Sequence, residues 1–319
     1  MCKKRNNIDN NLGKLHIPEI LKKRKILGII FGTFTLGILG YWLFSAWKEI
    51  LYLNINLRWN YLIASFPVFS ISFVLTFFVW RDILCSLGVK ENWFTHVKSL
   101  SYSAIGRRLP GTIWYIGIRS KIYSTNAKPQ IIILASTIEM AVIVIASIPC
   151  STFLLFGNNI INQNSNIYLL ILIPLVTSII VLHPRILFFL LKKMNIKDFN
   201  ISNFKILNWI LLYCIEWIIV GLLLYLVANI FIPVSYSKIF FFIGCVAFTG
   251  LTSRALLFLP SNFGFTELTI SSLLSLNLST IWAPIIAISN RAVIILFELI
   301  YAFGVSTYER LIHNSKNTP

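Results

Sequence analysis

Two stretches of the chain place arginines beside a proline-containing break, with a glutamate following in an apolar segment. The first group is Arg107, Arg108, Pro110, Gly111 and Glu139, and the second is Arg254, Pro260, Gly264, Glu267 and Glu298. Ionisable groups and helix breaks cost several kcal/mol in hydrocarbon unless they line protein or water. The recurrence of this pattern therefore predicts a polar cavity inside an apolar protein.

The arginines near the first break are suited to binding an anion. Arg107, Arg108 and Arg119 flank a segment where one helix ends and another begins. The amide groups and the positive dipole end of the second helix also favour anions. A lipid phosphate is the predicted ligand. The alternative is that these arginines are ordinary basic residues at the inner membrane interface.

Carboxylates inside the apolar segments form the second part of the predicted site. Glu139 and Glu216 lie within apolar runs, where an ionised carboxylate requires an arginine, hydrogen-bond donors or a proton. Each has the alternative role of a structural tie between helices. Glu267 follows the second break by one helical turn, which places it at the mouth of the same cavity.

Arg291 and Glu298 are seven residues apart, so they share one helix face but lie about 10 Å apart along the axis. They cannot pair with each other, and each is expected to find its partner on another helix. Together with the preceding residues they define the predicted lining of the cavity. That lining is Arg107, Glu139, Glu267, Arg291 and Glu298.

The composition identifies the fold class. Hydrophobic residues make up 57% of the chain and charged residues 12%, with a mean hydropathy of +0.77, far from a soluble domain. Apolar segments long enough to span a bilayer occur near residues 26–46, 60–80, 130–156, 167–190, 206–230, 237–258 and 280–304. The prediction is an all-α polytopic membrane protein with about seven to eight transmembrane helices.

Both proline-containing segments read as re-entrant hairpins rather than simple spans. Pro110 removes a backbone donor and Gly111 relaxes the backbone, so one helix should stop there and another should start near Thr112. The same logic applies at Pro260, where Gly264 precedes a short helix through about Leu276. Corresponding breaks in two halves indicate a possible internal repeat, which in transporters places the site at the repeat interface.

The basic residues predict orientation. The net charge is +17, and it is concentrated in residues 1–25, in residues 81–128 and around Lys192 to Lys205, whereas residues 157–166 carry no charge. Basic loops favour the cytoplasmic side. The N-terminus is therefore predicted to lie on the cytoplasmic side of the cell membrane. The predicted organisation is a basic segment at 1–25, one membrane domain at 26–305 and a short polar tail at 306–319.

No cofactor, metal site or nucleic-acid partner is predicted. The five cysteines are scattered without metal-ligand spacing, and the basic residues flank spans without any recognition module. Anionic lipid is the simpler partner for the basic face. The four histidines are isolated, and no DxD or HExxH motif indicates catalysis.

Several segments resemble the transmembrane region of the lysylphosphatidylglycerol synthase and flippase family. Gly106 to Trp114 (GRRLPGTIW) is similar to that family's Gly-Lys-Tyr-(Leu/Ile)-Pro-Gly-x-x-Trp stretch, and Ala135 to Glu139 (ASTIE) to its Ala-Ser-x-x-Glu helix. Leu259 to Glu267 (LPSNFGFTE) resembles its Pro-Gly-Gly-(Leu/Ile)-Gly-x-x-Glu turn, with Ser261 and Asn262 at glycine positions. Asn290, Arg291 and Glu298 resemble its closing Ser-Arg helix.

The resemblance implies a function as a lipid translocator. Bifunctional members of that family continue into a soluble aminoacyl-transferase domain, whereas this sequence ends at Pro319, so the implied activity is translocation without synthesis. The expected cargo is a phosphate-containing headgroup, carried by an aminoacyl-phospholipid or a prenyl-linked sugar. The alternatives are an intramembrane transferase and a scaffold for a separate lipid-modifying enzyme or glycosyltransferase.

Overall fold

The computed structural model describes residues 56–108, 113–157, 201–255 and 264–317, and these residues form α-helices and short 3₁₀ turns without any strand. The α-helices are α1 (Trp59–Ser86), α2 (Trp93–Gly106), α3 (Ile113–Ile122), α4 (Pro129–Ser151), α5 (Asn203–Phe231), α6 (Ile239–Ala255), α7 (Phe265–Leu274) and α8 (Trp282–Asn317). The 3₁₀ turns are Thr152–Gly157 and Tyr236–Lys238.

Five helical segments are long and apolar enough to cross a membrane. They are Trp59–Ser86, Pro129–Leu154, Asn203–Phe231, Tyr236–Arg254 and Trp282–Ile312. They match five of the predicted spans, while the predicted spans at 26–46 and 167–190 lie outside the described residues. Large apolar side chains also point outward, with Ile63 73%, Phe204 79% and Phe303 75% exposed. An exposed apolar surface of this kind indicates a membrane protein.

The two predicted helix breaks fall between described helices. α2 ends at Gly106 and α3 begins at Ile113, and these two short helices pack against each other. α6 ends at Ala255 and α7 begins at Phe265, and they also pack together. Pro110, Gly111 and Pro260 lie outside the described residues. Gly264 is described, and its φ of 88° is a backbone conformation that favours glycine.

α5 is the centre of the helix assembly, since it packs against α1, α4, α6 and α8. Two glycines allow α5 and α6 to approach closely. A Cβ at Gly221 would lie 2.4 Å from Ile243 Cα, and a Cβ at Gly250 would lie 2.0 Å from Trp217 Cη2. Neither position has room for a side chain, so this interface depends on both glycines.

At one end of the assembly, lysines lie where α1 ends, α5 begins and α8 ends. At this end, which we call the basic end, Lys205 at the start of α5 donates to Ser86 at the end of α1 over 2.9 Å. Lys98 on α2 forms an ion pair with Glu309 near the end of α8. α2 therefore starts at the basic end.

The α6–α7 pair has its outer ends at the other side of the assembly. Arg58, just before α1, donates its amide to Ile230 O near the end of α5 over 3.0 Å. Lys238 at the start of α6 donates to Asn277 O just after α7 over 3.2 Å. α6 therefore starts at the end of the assembly opposite to the start of α2.

A buried hydrogen-bonded cluster fixes the α2–α3 pair at the basic end. The Tyr123 hydroxyl, which follows α3, accepts from Trp80 Nε1 over 3.0 Å and lies 2.8 Å from His96 Nδ1. All three side chains are fully buried. Burial lowers the pKa of the His96 imidazole, and Arg81 acts in the same direction. The neutral imidazole can accept a hydrogen bond from the Tyr123 hydroxyl at Nδ1, in the tautomer that carries its hydrogen on Nε2.

This cluster makes stability depend on pH. Because the folded-state pKa of His96 lies below its unfolded value of about 6.5, the stabilisation is complete above that pH and is lost as pH falls through the folded-state pKa. The thermal midpoint of the purified protein should therefore fall on acidification below about pH 6.5. A His96→Gln variant should lose this dependence, and an unchanged pH slope in the variant would contradict the assignment.

Candidate functional site

Arg119 and Glu139 form a fully internal ion pair between α3 and α4. Arg119 Nη1 lies 2.5 Å from Glu139 Oε2, and Nη2 lies 3.4 Å from Oε1. The two side chains are 1% and 5% exposed. Because both charges are removed from solvent, each depends on the other for compensation.

Three further helices complete the surroundings of this pair. Arg119 Nε donates to Ser103 Oγ on α2 over 3.2 Å, and its guanidinium lies 3.8 Å from the ring centroid of Trp80 on α1. Tyr213 on α5 donates to Glu139 Oε1 over 3.3 Å. The pair thus connects five helices, and the Arg119 guanidinium is occupied by protein partners.

Arg108 forms the second ion pair, which joins the end of α2 to α8. Its Nε donates to Glu298 Oε2 over 2.8 Å and its Nη2 to Oε1 over 2.6 Å. This two-point geometry is the strongest form of an arginine–carboxylate contact. The side chains are 24% and 11% exposed, so this pair is more accessible than the first.

Glu267 and Arg291 form the third pair, between α7 and α8. Arg291 Nη1 lies 3.4 Å from Glu267 Oε1. The second oxygen of Glu267 accepts the Gly264 amide over 2.8 Å, so the same carboxylate also caps the start of α7. Arg291 and Glu298 thus have their partners on other segments, as their spacing along α8 predicts.

Arg107 and Arg254 differ from the other arginines of the predicted site. Neither forms an ion pair with any residue that the structure describes. Arg107 follows the last residue of α2 and is exposed. Arg254 is half-buried near the end of α6, where Nη1 donates to Gly250 O over 3.3 Å and the guanidinium lies 5.2 Å from the Trp217 ring centroid.

Arg107 and Arg254 act on each other and on Glu216 through their charges. Arg107 on one pair and Arg254 on the other are near enough for their positive charges to repel. Both also act electrostatically on Glu216 of α5. Glu216 is 13 residues from the start and 15 from the end of α5 (Asn203–Phe231). The Glu216 carboxylate therefore lies near the midpoint of a helix that is long and apolar enough to cross a membrane.

Sequence reasoning kept Glu216 out of the predicted binding set and overlooked Trp217. Glu216 Oε1 accepts from Thr76 Oγ1 over 3.0 Å and from Ser72 Oγ over 3.3 Å, both on α1. Trp217 Nε1 donates to Ile143 O over 3.2 Å. The sequence signal for both residues is their position in the middle of a long apolar run, where polar groups need partners.

The electrostatic balance of this region is positive. The three ion pairs neutralise Arg108, Arg119 and Arg291. Among the described residues of this region, that leaves Arg107 and Arg254 with the carboxylate of Glu216. Such a group is suited to hold an anion with one or two negative charges.

No family model matches this chain, and no curated protein matches it either. The described residues contain no group of three or more histidine, cysteine, aspartate or glutamate side chains that could hold a metal ion. The described site residues offer charge complementarity and hydrogen bonding for recognition. The prediction that all five sequence-selected residues line one cavity stays a prediction.

Two cavities lie away from this site, in the apolar face between α1 and α8. Two adjacent grooves of about 430 Å³ each share Phe66 and Ile300 in their linings. Their other lining residues are apolar apart from the hydroxyls of Tyr301 and Tyr308. They offer no contact for a charged headgroup.

Proposed function

We propose that this chain is a lipid translocator that moves a phosphate-containing headgroup across the membrane. Arg107 and Arg254 bind the phosphate in this proposal, and the acyl or prenyl tails remain in the surrounding lipid. The cargo is an aminoacyl-phospholipid or a prenyl-linked sugar lipid. The resemblance of the two break motifs to the flippase family agrees with this function.

The observation that carries the proposal is the pairing of Arg107 with Arg254. Each arginine stands where a helix runs into one of the two proline-containing segments, and the two helices enter from opposite ends. Both lack an ion-pair partner among the described residues, unlike Arg108, Arg119 and Arg291. Arginines that lack an ion-pair partner among the described residues are costly within an apolar protein, and a bound phosphate would supply negative charge to both.

The helix arrangement is compatible with access from both sides. In the proposal, α2–α3 is a re-entrant hairpin from the cytoplasmic side, because the basic end carries the lysines, and α6–α7 enters from outside. The two hairpins then correspond as inverted repeats around a midplane site. In each hairpin, the second helix forms an ion pair with the helix that follows it, but the charges are exchanged. Arg119 on α3 pairs with Glu139 on α4. Glu267 on α7 pairs with Arg291 on α8.

Headgroup translocation in proteoliposomes tests the proposal. Lysyl-phosphatidylglycerol is followed by a membrane-impermeant amine reagent, and a polyprenyl-phosphate sugar lipid by periodate oxidation. Translocation of one of these lipids is expected for the wild-type protein. Arg107→Gln and Arg254→Gln should each slow it at least about tenfold, because a hydrogen bond to a charged group contributes about 1.5–3 kcal/mol.

Arg310→Gln is the matched control, since Arg310 is an exposed arginine near the end of α8 and should leave the rate unchanged. Failure of the wild-type protein to move either lipid would reject translocation. Equal rates in Arg107→Gln, Arg254→Gln and wild type would reject the proposed phosphate site. A chemically altered lipid, detected by mass spectrometry in the absence of translocation, would favour an intramembrane transferase.

A further inference from the structure

Glu216 is a carboxylate at the middle of the membrane-crossing length of α5. It lies 13 residues from the start of that helix, or about 20 Å along the axis. An ionised carboxylate at such a depth requires compensation by charge, by hydrogen bonds or by a proton. The partners of Glu216 differ from those of the other glutamates of the site, which pair with arginines.

Among the described residues, the hydrogen-bond donors to Glu216 are neutral. Thr76 and Ser72 both donate to Oε1, and no described residue donates to Oε2. By contrast, Glu139, Glu267 and Glu298 each form an ion pair with an arginine. Glu216 therefore has one oxygen atom, Oε2, that is available to carry a proton.

Charged groups surround Glu216 at longer range. Arg254 on α6 and Arg107 at the end of α2 favour its ionised form, whereas Glu139 on α4 opposes it. On α1 the facing groups are the two hydroxyls. α8 is the remaining helix packed on α5. Its Arg291 pairs with Glu267 and its Glu298 pairs with Arg108. The Thr76 hydrogen bond and the charges of Arg254 and Arg107 together compensate the carboxylate, and the two arginines are the charged part of that compensation.

We propose that Glu216 is a proton-binding site that takes up a proton at Oε2 when an anionic headgroup occupies Arg107 and Arg254. The phosphate neutralises the two arginines, so the carboxylate loses their stabilisation and accepts a proton from the aqueous phase. No covalent bond of the lipid changes. By linkage, protonation of Glu216 strengthens anion binding by the same factor. This inference rests on the proposed phosphate site and adds a proton to its binding step.

The test measures proton uptake together with binding. Calorimetric titration of the full-length protein with dihexanoyl-phosphatidylglycerol, repeated in two buffers of different ionisation enthalpy, gives both quantities. This phosphodiester does not itself titrate near neutral pH. Wild type should take up close to one proton per lipid bound over part of the pH range 6–9. Its affinity should fall by up to about tenfold per pH unit at the alkaline end.

Variants assign the proton to Glu216. Glu216→Gln should bind the lipid with no proton uptake and with an affinity that does not change with pH. Glu91→Gln is the control, because Glu91 accepts from Asn126 at the basic end and should leave the uptake intact. Thr76→Val provides a second variant that keeps the carboxylate. Loss of a donor to the ionised form should shift the pH dependence of binding to higher pH.

The outcomes separate this inference from the proposed function. Binding that requires Arg107 and Arg254 but involves no proton uptake would overturn the proton site and leave the phosphate site standing. Uptake that persists in Glu216→Gln would also overturn it, as would binding that requires sodium rather than a proton. Absence of binding by the wild-type protein would overturn both.

Discussion

Replacing Arg119 by glutamine is expected to destabilise the protein by about 3–5 kcal/mol, because it leaves the Glu139 carboxylate buried and uncompensated. Glu139 is 4% exposed, and its remaining donor is Tyr213 at 3.3 Å. Glu139→Gln should have a similar effect, since it leaves the guanidinium uncompensated. The measurement is the thermal midpoint and the yield of monodisperse protein in detergent.

The double variant distinguishes an ion pair from a pair of independent contacts. Arg119→Met combined with Glu139→Leu replaces both charges by apolar side chains of similar size, and replacements of this kind are often neutral or stabilising. The double variant should therefore be more stable than either single variant. Destabilisations that simply add would show that the two residues do not compensate each other.

Arg108 and Glu298 provide a comparison at a more exposed pair. Because Arg108 is 24% exposed in its side chain, water compensates part of the lost charge after substitution. Arg108→Gln should therefore cost clearly less than Arg119→Gln. The difference in destabilisation between the two variants would distinguish a buried pair that holds helices together from a pair that a headgroup can reach.

Local features of the sequence predict the helices well. Pro110 and Pro260 predict interruptions because proline cannot continue a helical hydrogen-bond ladder. The described helices on either side end at Gly106 and Ala255 and begin at Ile113 and Phe265. The five spans follow from hydropathy alone. In each case the physical cause lies within the same few residues.

The pairing of charges was much less predictable. The helical repeat shows that Arg291 and Glu298 cannot pair with each other, but it does not identify Glu267 and Arg108 as their partners. Arg119 was grouped with the phosphate-binding arginines, yet its guanidinium contacts Glu139 and Trp80. Such contacts depend on how helices distant in the sequence pack, which composition and periodicity do not determine.

Gly250→Ala is expected to destabilise the protein by about 2–3 kcal/mol, although alanine is the better helix former. The new Cβ would lie 2.0 Å from Trp217 Cη2, and the indole cannot move freely because Nε1 donates to Ile143 O. Gly117→Ala is the control, since no atom lies within 4 Å of a Cβ at that position. Thermal unfolding of both variants measures the difference.

Trp217→Phe should rescue the Gly250→Ala variant, because phenylalanine lacks the ring atoms that meet the added methyl group. The double variant is expected to recover about half or more of the lost stability, although Trp217→Phe alone removes one hydrogen bond worth about 1 kcal/mol. The same substitution also replaces the indole next to the Arg254 guanidinium by a smaller aromatic ring. Rescued stability combined with weaker binding of dihexanoyl-phosphatidylglycerol would therefore connect this packing contact to the phosphate site, whereas a double variant less stable than Gly250→Ala would contradict the clash itself.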